Sequence, residues 1–148
     1  MPRKWNKGVI VKEFISNSAE ETLEFAAQLA RSLTGNEKLL LFGELGAGKT
    51  LFIKGIAAGL GMNNYEEVSS PSFVLIKEYK INSKSLFHID LYRIQENDSY
   101  FFADVYELIA SDDLVAIEWA EKLPDYNFPH LKITIDYLSE TSRKITVG

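Results

Sequence analysis

The 148-residue sequence predicts one α/β domain, a mixed central sheet flanked by helices in a three-layer sandwich. Three observations predict it. Strand-like and helix-like segments alternate as far as Leu60. Beyond that point the strand-like segments are short and pair locally across turn residues. A glycine-rich segment, Gly43 to Thr50, joins an apolar strand directly to an apolar helix.

The elements follow in order. Val9 to Ile15 is rich in β-branched residues and reads as a first strand. Ser18 and Glu21 have capping-box spacing, and Leu23, Ala26, Ala27, Ala30 and Leu33 then share one helical face, with Gly35 as a stop. Lys38 to Phe42 is a short apolar run of the kind buried in parallel sheets. A helix is expected from about Lys49 to Leu60, ended by Gly61. Met62 to Ser72 reads as a loop. Phe73 to Ile81 and Leu86 to Ile89 read as a hairpin across the turn Asn82 to Ser85. Asp98 to Ile109 is helical in pattern, and its Tyr100, Phe101, Phe102 and Tyr106 are expected to pack, with a docking surface as the alternative. Leu114 to Ile117 is a further buried strand, Trp119 to Pro129 is irregular, and strands Leu131 to Tyr137 and Lys144 to Val147 close the chain.

Composition narrows the chemistry. Apolar residues make up 46% and charged residues 25%, ordinary for a packed domain. The net charge of −5 and only four arginines, Arg3, Arg31, Arg93 and Arg143, argue against independent gripping of a nucleic-acid backbone. Cysteine is absent, which excludes disulfides, thiolate metal sites and cysteine catalysis. His88 and His130 are too few for a histidine-based zinc site. No stretch approaches ~18 uninterrupted apolar residues, and the start lacks the apolar run of a secretory signal, so a cytoplasmic protein without a membrane span is expected.

The segment Gly43-Glu44-Leu45-Gly46-Ala47-Gly48-Lys49-Thr50 matches the P-loop spacing Gly-x-x-x-x-Gly-Lys-[Ser/Thr]. Such a match arises by chance in roughly one chain in a few hundred. The glycines permit close backbone approach, so amide groups converge on phosphate oxygens at a helix N-terminus. The expected nucleotide contacts are Glu44, Leu45, Gly46, Ala47, Gly48, Lys49, Thr50 and Leu51. Lys49 can reach the β- and γ-phosphates, and the Thr50 hydroxyl can ligate Mg²⁺. ATP and Mg²⁺ are the expected cofactors.

Mg²⁺ favours oxygen ligands, and P-loop sites add a carboxylate from the end of a neighbouring strand. Two apolar segments end in an acid: Leu86 to Ile89 leads to Asp90, and Leu114 to Ile117 leads to Glu118. The expectation is that one of the pair holds the metal and the other orients water, against the alternative that one is merely a solvated strand end. The spacing does not divide these roles. His88 lies inside a strand and reads as core packing. Trp119 reads equally as core, lid or partner anchor. Ser70, Pro71 and Ser72 stand where a phosphate-sensing switch loop or a stiff surface loop would be. The guanine-reading Asn-Lys-x-Asp and the Asp-x-x-Gly of GTPases are missing, and arginine is too sparse for a kinase lid. A minimal ATP switch or weak ATPase remains.

Taken together, Gly43 to Thr50, Ser69-Ser70-Pro71-Ser72-Phe73, Glu78-Tyr79, His88-Ile89-Asp90-Leu91-Tyr92-Arg93 and Ile117-Glu118-Trp119-Ala120-Glu121 closely resemble the bacterial tRNA threonylcarbamoyladenosine biosynthesis ATPase family, also called TsaE or YjeE. The resemblance spans nearly the whole chain. It implies a slow ATPase serving N6-threonylcarbamoylation of adenosine 37 in tRNA. Its implied partners are a threonylcarbamoyl-transferase subunit (TsaD-like) and a non-catalytic paralogue (TsaB-like), with tRNA met mainly through that complex. It also implies Thr50 and Glu118 as Mg²⁺ ligands, Lys49 and Asp90 in hydrolysis, Ser70 to Ser72 in a switch loop, and Arg143 near the nucleotide. Glu44 stands where the family often has Asp, Leu51 where it often has a second Thr, and Ala120 where it commonly has Pro.

Overall fold

The computed structural model describes residues 12–71, 75–95 and 97–148. In chain order the elements are β1 (Lys12–Ser16), α1 (Ala19–Arg31), β2 (Lys38–Phe42), α2 (Lys49–Gly59), β3 (Ile76–Ile81), β4 (Lys84–Asp90), α3 (Ser99–Ile109), β5 (Leu114–Glu118), β6 (Leu131–Tyr137) and β7 (Arg143–Val147). The strands form one sheet ordered β1-β7-β6-β2-β5-β4-β3. β2 runs parallel to β5 and β6, and β4 parallel to β5, while β3, β7 and β1 pair antiparallel at the two sides.

The central strands are apolar throughout because both their faces are covered. Leu39 and Leu41 of β2, with Leu114 and Ala116 of β5, pack on one side against Phe25 and Ala26 of α1 and Phe52, Ile53 and Ile56 of α2. Leu40, Val115 and Ile117 face the other side, where Phe102, Val105 and Ile109 of α3 cover them. The result is the expected three-layer sandwich around a mixed sheet.

Helix α1 begins as its sequence predicts. The Ser18 side chain accepts from the Glu21 amide at 3.0 Å. The Glu21 carboxylate reaches back to the Asn17 amide at 2.8 Å, one residue earlier than the capping-box pattern places it. Its buried stripe also takes in Thr22 and Phe25. At α3, Asp98 is the cap rather than the first helical residue, accepting from the Phe101 amide at 3.0 Å.

α1 and α2 pack closely because α2 presents glycine to α1. A Cβ on Gly59 would lie 2.3 Å from the Ala27 carbonyl oxygen and 2.8 Å from the Ala30 Cβ. Backbone atoms cannot yield as a flexible side chain would. Gly59→Ala is therefore expected to cost about 1–3 kcal/mol of stability, toward the upper end, despite the better helix propensity of alanine. A urea titration with an unchanged m-value checks this, and a neutral or stabilised variant contradicts the packing account.

Several boundaries differ from expectation. The part of the first strand expected before Lys12 lies outside the described residues, as do Ser72 and Phe73. The hairpin turn is shorter than the four residues anticipated: only Asn82 and Ser83 turn, both at positive φ (51° and 72°), while Lys84 and Ser85 already pair in β4. Short 3-10 turns at Tyr65–Glu67 and Ala120–Lys122 interrupt stretches read as irregular. Tyr100 does not pack as expected: it is 89% exposed, whereas Phe102 is buried and Phe101 and Tyr106 lie partly buried against the α3-side core. At roughly 100° per residue, Tyr100 falls on the face opposite the buried stripe of Phe102, Val105 and Ile109.

Parallel pairing has one consequence for function. β2, β4, β5 and β6 all end at the same edge of the sheet, so the loop after Phe42 and the terminal acids Asp90 and Glu118 meet there. β7 runs opposite to β6 and so begins at that edge, bringing Arg143 with it.

Candidate nucleotide-binding site

The glycine-rich loop leaves β2 at Gly43 and enters α2 at Lys49. A Cβ on Gly43 would meet the Ile135 carbonyl oxygen of β6 at 2.7 Å, so only glycine lets the loop leave the sheet so close to its neighbour. Gly46 and Gly48 have φ of 81° and 111°, and open space lies where side chains would project. The loop is therefore an open backbone cradle at the N-terminus of α2, the geometry that receives phosphate.

Strand alternation selects which residues face this cradle. In β4, Leu86, His88 and Asp90 share the α2-side face, and in β5 Leu114, Ala116 and Glu118 do. Asp90 lies in register with Glu118, and His88 with Ala116. The Thr50 hydroxyl donates to Glu118 Oε2 at 2.7 Å, and His88 Nε2 lies 2.6 Å from that same oxygen. Asp90 is held by other partners. Ser70 donates to its Oδ2 at 2.6 Å, and the Tyr92 amide to its Oδ1 at 2.9 Å. All of Lys49, His88, Asp90 and Glu118 are buried.

Lys49 is folded back. Its ammonium donates to the carbonyls of Gly43 and Glu44 at 2.6 and 2.9 Å and lies 4.2 Å from the centre of the Trp119 ring. Burial holds this ammonium below the usual lysine range, and the negative charges of Glu118, Glu121 and Asp90 draw it partly back up. Trp119 follows Glu118 in a left-handed conformation, φ 57° and ψ 44°, uncommon for so bulky a residue. Its ring also packs against Tyr92, with centroids 5.0 Å apart, and so forms a rim beside the loop.

Arg143 touches the loop from outside. Its Nε donates to the Ala47 carbonyl at 2.9 Å and an Nη to Gly46 at 3.4 Å, while the other Nη donates to Ser139 and Ser142. Next to it is a cavity of about 280 Å³ whose walls include Asn17, Ser18, Thr22, Gly48, Leu51 and Arg143. Glu44 and Leu45 lie exposed on the loop, while Ala47 is buried. Of the three switch-loop residues, Ser70 reaches Asp90, Pro71 is buried, and Ser72 lies outside the described residues.

The residue that sequence reading passed over is His88. Inside a strand it resembles core filling, and only the pairing of β4 with β5 puts it beside Glu118. The available signal was parity: His88 stands two residues before Asp90, on the same strand face.

The donors present fit a magnesium–nucleotide. Among the described residues there is no group of three or more His, Cys, Asp or Glu that could form an all-protein metal cage. Mg²⁺ instead commonly takes one or two protein oxygens together with phosphate and water. A hydroxyl and a carboxylate beside an open phosphate cradle match that requirement.

Comparison with known proteins agrees with this architecture. The family profile described as "Threonylcarbamoyl adenosine biosynthesis protein TsaE" matches residues 16–145. The tRNA threonylcarbamoyladenosine biosynthesis protein TsaE of Aquifex aeolicus is 36% identical over 138 residues, covering 93% of this chain and 96% of that one. Its namesake in Bacillus subtilis is 37% identical over 131 residues, covering 86% and 78%. The crystal structure of Bacillus subtilis YdiB superposes with a TM-score of 0.70 at 31% identity, over 93% of this chain and 84% of that one. A P-loop between β2 and α2, two strand-end acids at one sheet edge and a match across nearly all of the described residues lead to one conclusion: this chain belongs to the TsaE family of threonylcarbamoyl adenosine biosynthesis proteins.

Proposed function

We propose that this protein is the Mg²⁺-dependent ATPase of tRNA N6-threonylcarbamoyladenosine formation, using ATP binding and hydrolysis to turn over a threonylcarbamoyl-transferase complex. The observation that carries the ATPase reading is the meeting of Thr50, Glu118 and Asp90 beside the P-loop cradle. The names of its relatives support the pathway. The proposed partners are the transferase subunit and its non-catalytic paralogue. A net charge of −5 suits a subunit that leaves most contact with tRNA to them. No helix among the described residues is long and apolar enough to cross a membrane. The proposed workplace is the cytoplasm, where tRNA is modified.

The residues divide the work as follows. Backbone amides of Glu44 to Thr50 bind the phosphates, and Lys49 leaves the Gly43 and Glu44 carbonyls to meet the β- and γ-phosphate oxygens. Thr50 and Glu118 hold Mg²⁺, which neutralises charge on the phosphates when bound. Asp90, once Ser70 releases it, orients the attacking water. Leu51 and Arg143 border the cavity that takes the nucleoside. One consequence is optical. When nucleotide draws Lys49 away from the Trp119 ring, Trp119 emission in a Trp5→Phe background should change saturably. Emission that stays constant while nucleotide binds contradicts the proposed lysine movement.

A second reading, in which ATP occupancy rather than hydrolysis is the signal, is favoured by one observation: both Asp90 oxygens already accept hydrogen bonds, from Ser70 and the Tyr92 amide, which ties the carboxylate to its own chain. Multiple-turnover tRNA modification in a reconstituted system tests the two readings. ATP should sustain repeated rounds and a non-hydrolysable analogue should stop after about one. Equal output with both supports the occupancy reading.

A further inference from the structure

His88 lies fully buried on β4, between Leu86 and Asp90 on the α2-side face and in register with Ala116. Leu86 and Ala116 belong to the apolar core. An imidazole in such a place carries a penalty that a leucine would not, because its Nδ1 finds no hydrogen-bond partner among the described residues. Any benefit that offsets this penalty comes through the other nitrogen, which contacts Glu118 Oε2 at 2.6 Å.

An ionised carboxylate only accepts, so His88 must carry its proton on Nε2 to bond there. The bare Nδ1 then faces the apolar core as a neutral lone pair rather than as a buried charge. Glu118 Oε2 thus receives two donors, the Thr50 hydroxyl and the His88 N–H. Both of these hydrogen bonds fall on Oε2 rather than on Oε1. The two donors differ in kind. The Thr50 hydroxyl rotates freely about its own bond and begins the helix that receives phosphate. His88 is fixed in the sheet by packing on all sides, and sites supported by rigid elements hold their geometry best.

We propose that His88 is a positioning residue: its Nε2–H clamps Glu118 Oε2 and so fixes the rotation of the carboxylate, leaving Oε1 for the magnesium–nucleotide. This rests on the reading of the site as a Mg–ATP site. It assigns the buried histidine a role in metal-dependent affinity, not in proton transfer or in folding alone. Hydrogen-bond partners of metal-ligating groups typically contribute ~10–100-fold to metal affinity.

The test is calorimetric binding of a non-hydrolysable ATP analogue to the full chain, with Mg²⁺ and with a chelator, for wild type, His88→Leu and His88→Gln. The Leu variant should bind metal-free analogue like the wild type but lose ~10–100-fold of the affinity that Mg²⁺ adds. The Gln variant, whose amide can donate where Nε2 does, should recover most of it. In the wild type, ¹⁵N NMR should find the imidazole protonated on Nε2 and bare on Nδ1. An unchanged Mg²⁺ contribution in the Leu variant overturns the proposal. So does a Gln variant that keeps the metal-free affinity yet loses the Mg²⁺ contribution completely. If the Leu variant does not fold, the Gln variant and the tautomer decide, and a wild-type imidazole bare on Nε2 also overturns it. A wild type whose affinity does not respond to Mg²⁺ at all removes instead the Mg–ATP reading on which the proposal stands.

Discussion

Lys49→Ala should lower ATP hydrolysis by at least ~10²–10³-fold while leaving the fold intact. The magnitude is that of removing one preorganised charge stabiliser from a transition state. Among the described residues the ammonium bonds only to carbonyls of its own loop and to the Trp119 ring, and burial holds its proton affinity down. No ion pair on which the sheet depends is lost. The stability cost should therefore stay near about 1 kcal/mol, the net worth of an ordinary hydrogen bond. A melting curve and a hydrolysis assay on the same preparation check both halves. Loss of activity through unfolding, or an active folded variant, contradicts this account of the site.

Asp90→Asn should lower hydrolysis by ~10²–10⁴-fold with little change in nucleotide affinity, the signature of a group that orients water rather than binds substrate. The substitution suits its setting. Asparagine keeps an oxygen for the Tyr92 amide and turns its NH₂ toward Ser70, whose hydroxyl can accept as well as donate. Shape and hydrogen bonds survive while the charge goes. Glu118 offers the contrast: an amide there can keep its oxygen for both donors at Oε2, but it sets an NH₂ where Oε1 would meet Mg²⁺. The split between kcat for Asp90 and Mg²⁺-dependent affinity for Glu118 is read by single-turnover kinetics beside equilibrium binding. Equal effects of both substitutions on affinity contradict the division of labour.

Sequence made the phosphate loop and the central strands legible because local rules govern them. Gly46 and Gly48 need positive φ wherever the loop occurs, and Leu39-Leu40-Leu41 can be buried only in a strand covered on both faces. The terminal acids were legible in place but not in role. Periodicity puts Asp90 and Glu118 at strand ends, but only the register of β4 with β5 brings Glu118 to Thr50 and leaves Asp90 to Ser70. Long-range pairing also explains why His88 read as core: its one polar contact among the described residues is with a residue thirty positions away. Arg143 is a similar case. Chain order says nothing of its neighbour, whereas the antiparallel placement of β7 beside β6 sets it on the carbonyls of Gly46 and Ala47. Tyr100 failed for a local reason, because a run of aromatics fits a packed helix face until the first turn is oriented by its Asp98 cap.

The central claim is that the edge of the sheet carrying Lys49, Asp90 and Glu118 hydrolyses ATP with Mg²⁺ in service of a partner complex. The most direct measurement is phosphate release from ATP by the purified protein, with and without Mg²⁺, alone and with the two-subunit transferase complex added, beside Lys49→Ala. The account predicts slow Mg²⁺-dependent release, strong stimulation by the complex, and loss of both in the variant. Release that ignores Mg²⁺ and survives Lys49→Ala, or a complex that forms without changing the rate, would contradict it.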